Sequence, residues 1–161
     1  MMTVDLQYAS TETALPTHRD IHTWADTALL LSTETNGLHS TPEEPNFPAE
    51  LTVRIVDEEE MRDLNRRYRG QEKTTNVLSF PCDASNFPGL HLLGDIVVCA
   101  PVVKREAGEQ GKEPVAHWAH MVIHGTLHLM GFDHLSEPQA VQMESLETRI
   151  LARLGFSDPY R

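Results

Sequence analysis

The sequence predicts one small domain of mixed α and β structure spanning residues 1–161. Three observations predict it. Leu51, Val53 and Ile55 alternate with Thr52 and Arg54, the period of a strand with one face buried. Ile96 to Ala100 is unbroken apolar sequence, as expected of a strand covered on both faces. Two other segments repeat apolar residues every three or four positions, Ile21-Trp24-Ala28-Leu31 and Met143-Leu146-Ile150-Leu154, which is the period of a helix. A chain of 161 residues is long enough to bury a core around such elements.

Taken in order, Thr3 to Tyr8 reads as a first strand and residues 18–32 as a helix. Asn36-Gly37 through Pro48 reads as loop, with Gly and Pro punctuating it. The strand around Val53 follows. Asp57 with Glu60 resembles a capping box for a helix through Met61, Leu64 and Tyr68. Gly70 stops that helix and leaves Arg69 at its C-terminal end. Asn76 to Phe80 is the next strand, ended by Pro81. Residues 82–91 form a loop before the apolar strand. Pro101 suits a helix start, and Gly108 and Gly111 end or weaken that helix. Pro114 opens a further helix on which His117, His120, His124 and His128 share one narrow arc. Ser136 caps the last helix, with Gln139 completing a capping box and Pro138 in its first turn, and Gly155 ends it.

Composition narrows the function classes. No apolar run reaches the length of a membrane span. Met1 to Asp5 lacks the basic start and apolar core of a secretory signal. Cys82 and Cys99 make no disulfide framework and read as reduced thiols of a cytoplasmic protein. Net charge is −11, a field that repels phosphate overall. The charge is uneven, however. Arg19 is the only Arg or Lys among residues 1–50, whereas Arg62, Arg66, Arg67, Arg69 and Lys73 cluster together. Such a cluster is either a small phosphate-gripping patch or a solvated helix face.

The most informative stretch runs from His124 to His134. His124 and His128 are four apart, so a helix places both on one face, a turn apart. Gly131 can end the helix in the left-handed conformation, and the chain can then bring His134 back toward the pair. Three His ligands leave one position of a tetrahedral zinc site open, the pattern of a catalytic rather than a structural site. The spacing equals that of the zinc-peptidase pattern H-E-x-x-H-x-x-G-x-x-H at every ligand position. The Glu that serves those enzymes as base is Gly125 here. His117 and His120 either tune the site or bind substrate, or are packed or hydrogen-bonded residues leading to it, the reading favoured here.

The segment from His124 to His134 also resembles the pattern H-G-x-L-H-L-x-G-x-D-H of the YbeY family of bacterial rRNA maturation endoribonucleases. Leu64-Asn65, Tyr68-Arg69-Gly70, Thr75 to Pro81, Leu93-Gly94-Asp95-Ile96 and the ending Leu154-Gly155-Phe156 through Asp158-Pro159-Tyr160 are similar to that family too. The likeness covers most of the chain after about residue 50. It implies a small α+β fold: a mixed four-stranded sheet, five or six helices around it, and one divalent metal ion, expected to be zinc, on a zincin-like helix in a cleft beside the sheet. It implies a single-strand-specific endoribonuclease that acts in 3′-end maturation of 16S rRNA and in ribosome quality control, with the small ribosomal subunit as partner.

The chemistry expected is metal-assisted hydrolysis. A bound Zn²⁺ lowers the pKa of its water from about 16 toward about 7 and polarises a phosphoryl oxygen. Arg69 matches the family's functional arginine; a guanidinium binds phosphate bidentately, although a cation also suits a helix C-terminus. Arg66 and Lys73 join it as candidate RNA contacts. Asp133, beside His134, is either the proton acceptor or a residue that orients an imidazole. Three His ligands suit zinc, nickel or cobalt. Two further readings stand beside this one, a metallopeptidase and a ribosome-assembly factor whose metal is structural.

Overall fold

A computed structural model describes residues 2–35, 49–82 and 91–161 of the chain. Four strands and five helices are present among them: β1 (Met2–Ala9), α1 (His18–Thr35), β2 (Ala49–Val56), α2 (Glu58–Arg69), β3 (Val77–Pro81), β4 (His91–Cys99), α3 (Ala100–Gln110), α4 (Pro114–Leu129) and α5 (Glu137–Arg153). The expected α+β fold with a mixed four-stranded sheet is therefore present. The loops expected over residues 36–48 and 83–90 lie outside the described residues.

The strand order is β1-β2-β4-β3. β1, β2 and β4 run parallel and β3 is antiparallel to β4. β4 is hydrogen-bonded on both edges, and from Ile96 to Cys99 its side chains are buried on both faces, which explains the unbroken apolar sequence there. Ile96 and Val98 point into the main core, shared with Ile21 and Trp24 of α1, Ile123 and Leu127 of α4, and Met143 and Ile150 of α5. Val97 and Cys99 point the other way, onto Met61 of α2 and Val102 of α3. This two-residue alternation thus sorts the helices: α1, α4 and α5 pack on one face and α2 on the other, while α3, which follows β4 directly, gives Val103 to the main core and Val102 to the second cluster.

α4 lies close against the sheet because Gly125 has no side chain. A Cβ built there falls 2.9 Å from Cγ2 and 3.1 Å from Cδ1 of Ile96, a fully buried residue. The Ser79 hydroxyl of β3 donates to the Gly125 carbonyl at 3.2 Å, fixing helix to strand.

One expected cap is corrected. Asp57 does precede α2, but its side chain makes no bond to the helix. Its carboxylate accepts instead from the Ser10 hydroxyl at 2.5 Å and from the Thr11 backbone N–H at 2.9 Å. Glu60, the other half of the supposed box, takes a two-pronged contact from Arg54 at 2.6 and 2.9 Å. Tertiary partners outcompete the local box. The box at Ser136 and Gln139 is present. β3 runs one residue beyond the expected end and includes Pro81, which is tolerated on an edge strand.

Candidate metal centre and its cleft

α4 is the element that builds the site. His117, His120, His124 and His128 form a ladder of rings, with successive centroids 6.2, 6.3 and 4.6 Å apart. The helix ends at Leu129, where the Phe132 N–H returns to the Leu127 carbonyl at 3.0 Å and the Gly131 N–H to His128 at 3.1 Å. This double closure needs a left-handed residue, and Gly131 supplies it with φ +98°. The reversal carries the His134 ring to 5.1 Å from His128 and 5.8 Å from His124. One ligand-capable atom from each of the three histidines lies within 4.8 Å of the others.

The donor set fits a divalent ion. Nε2 of His124 and Nε2 of His128 face each other at 3.1 Å. Nδ1 of His124 is occupied: it donates to Oε1 of Glu147 at 2.5 Å. That bond leaves the lone pair of His124 on Nε2, directed at the other imidazoles, which is the arrangement that metal-ligating histidines use. Burial, followed by the neighbouring His124 and His134, pushes the His128 pKa down, so its ring stays neutral and able to donate a lone pair at neutral pH.

Glu147 is the functional residue that motif reading missed. It is wholly buried on α5. Its Oε2 accepts from Nε2 of His120 at 2.7 Å and from the Tyr160 hydroxyl. Burial alone would raise its pKa, but the hydrogen bonds from His120 and His124, together with their charge, outweigh it and hold the carboxyl at about 2. A fixed carboxylate therefore sits directly behind His124. His120 is buried within this network, and His117 is bonded to Glu106 at 3.0 Å. Both occupy the packed, hydrogen-bonded role expected of them.

The histidines open into a cleft of about 770 Å³. Tyr68 and Arg69 from the end of α2 form part of its wall, with residues 75–81 along β3 and Gly131 to Leu135 beyond α4. Arg69 is exposed there, and among the described residues no carboxylate pairs with it. Asp133 also lines the cleft. Its Oδ1 accepts the His134 backbone N–H at 2.8 Å and lies 3.9 Å from His134 Nδ1, too far to orient that ring by a hydrogen bond. Arg66 and Lys73 are placed differently. Arg66 pairs with Asp63 at 2.6 Å and lines a separate groove among Asp57, Glu59, Glu60 and Glu72. Lys73 is exposed outside the cleft wall, its backbone carbonyl holding the Asn65 side chain at 2.8 Å. Of the three basic side chains expected to meet RNA, Arg69 is the one in the histidine cleft.

A family model described as Endoribonuclease YbeY matches residues 7–155, nearly the whole fold including the histidine helix and Arg69. The chain belongs to the endoribonuclease YbeY family. The Endoribonuclease YbeY of Colwellia psychrerythraea is 48% identical over 157 residues, covering 98% of this chain and 96% of that protein. The solution structure of TM1509 from Thermotoga maritima shares the fold, with a TM-score of 0.55, 22% identity and coverage of 98% of this chain and 99% of that one. In this YbeY-family chain the position of a peptidase base is closed by packing. Any side chain at Gly125 meets Ile96 rather than the cleft.

Proposed function

We propose that the protein is a metal-dependent endoribonuclease, specific for single strands, that acts in 3′-end maturation of 16S rRNA on the small ribosomal subunit and in ribosome quality control in the cytoplasm. The observation that carries the reading is the convergence of His124, His128 and His134 with Arg69 in one cleft. The three histidines hold one divalent ion, proposed to be zinc. When bound, the ion acidifies water and polarises a phosphoryl oxygen.

The chain's own residues then have distinct tasks. Glu147 fixes the tautomer and direction of His124. Arg69 takes the phosphate in its planar fork and offsets the charge that develops on the phosphoryl oxygens. Asp133, half-exposed in the cleft, accepts the proton of the attacking water. Lys73 contributes to phosphate attraction outside the cleft rather than to the reaction, whereas Arg66, paired with Asp63 among carboxylates, is left no such role.

The test couples elemental analysis of the purified protein to cleavage of a defined single-stranded RNA, its duplex and casein. The expected result is one divalent ion per chain, cleavage of the single strand that a chelator abolishes, and no proteolysis. Stoichiometric metal with intact RNA would overturn the nuclease reading in favour of a structural ion. Cleavage of casein would return the protein to the peptidases.

A further inference from the structure

We infer that Tyr68 is a stacking platform for an unpaired nucleobase next to the phosphate held by Arg69, and that this contact contributes to single-strand preference. The inference rests on the nuclease reading above. Tyr68 is 65% exposed, the most exposed of the chain's three tyrosines, although it has an apolar neighbour. It is not loose. Its ring meets Phe80 of β3 edge-to-face, with centroids 5.1 Å apart and planes at 67°. Such a contact holds the ring in place and still leaves much of its surface open.

Position supplies the second argument. Tyr68 and Arg69 are consecutive at the end of α2, immediately before Gly70 ends that helix with φ +66°. Both line the cleft that contains His124, His128 and His134. A phosphate and its neighbouring base are joined through one sugar, so adjacent cationic and aromatic groups match adjacent parts of one nucleotide. The cleft lining also includes Leu135, 85% exposed, a second apolar surface beside the same space. Every base has a π-face, so the contact tolerates any sequence. A base inside a duplex has both faces covered by its neighbours and cannot use it.

The experiment measures binding and cleavage of short single-stranded RNAs by the metal-loaded protein, with and without an abasic nucleotide beside the cleavage site. Wild-type protein should bind the abasic RNA on the order of tenfold more weakly, the effect of losing one base–aromatic stack. Tyr68→Ala should weaken binding of intact RNA by a similar factor and leave binding of abasic RNA unchanged. Tyr68→Phe should behave as wild type, and Tyr68→Leu, which keeps bulk without a π-face, should resemble Tyr68→Ala. The salt dependence should not change in Tyr68→Ala, since no charge is removed. Equal binding of intact RNA by Tyr68→Ala and wild type would overturn the inference, as would the same loss on intact and abasic RNA. Failure of the wild-type protein to cleave any RNA would instead overturn the nuclease reading, a separate and distinguishable result.

Discussion

Glu147 touches three polar groups at once, Nδ1 of His124, Nε2 of His120 and the Tyr160 hydroxyl. A carboxylate can accept from all three, whereas an amide has one accepting oxygen. Glu147→Gln therefore forces one imidazole to turn its lone pair inward. Metal affinity should fall by about 10- to 100-fold, as for other partners that orient a ligand. Competition against a chromophoric chelator measures it, and unchanged affinity would show that His124 needs no such support. Arg69→Ala, by contrast, should keep the metal and the fold and lose most RNA cleavage. Arg69→Lys should not restore it fully, because an ammonium lacks the fork. Turnover falling more than RNA binding would place Arg69 on the transition state. The three histidines were legible because their spacing crosses one helix end. Glu147 was not, although a signal existed. It lies four residues after Met143 and three before Ile150, a charge inside the buried stripe, and such a charge demands partners.

The helix end around Gly131 is the element on which the site depends, since it alone decides where His134 goes relative to α4. Its φ of +98° is strained for any L side chain, most of all a β-branched one, while no atom would obstruct a Cβ there. Gly131→Val should then cost about 1–3 kcal/mol of backbone strain. Relaxation of that strain displaces His134, so metal affinity should drop more than helix content measured by circular dichroism. Equal loss of both would mean that the turn serves the helix and not the site. This glycine could be read from sequence because helix closure is local. The cap at α2 could not, because the Ser10 and Thr11 partners of Asp57 lie 47 and 46 residues away in the chain. Strand order was illegible for the same reason: nothing local says that β4 inserts between β2 and β3.

Across the whole molecule, a net charge of −11 makes acidification a contest between two effects. Protonation relieves self-repulsion, which favours the compact state. Against this stand groups whose neutral or charged form the fold dictates. His117 and His128 both have pKa values pushed below the ordinary 6.5, in each case first by burial. The unfolded chain therefore takes up these protons before the folded chain does, and stability drops as pH falls through 6.5. Glu147 acts lower down. Its carboxyl titrates at about 2 in the fold against 4.5 otherwise, so its contribution is full above 4.5 and is lost between 4.5 and 2. The signs agree, and these groups are buried where the repelling carboxylates are mostly exposed, so their effect should dominate. The metal-free protein should lose thermal stability from pH 7 to pH 5 and again below 4.5, followed by circular dichroism melts at each pH. Glu147→Gln should flatten the second decline and leave the first. A melting temperature that rises steadily on acidification would mean that surface repulsion outweighs the buried histidines and carboxylate.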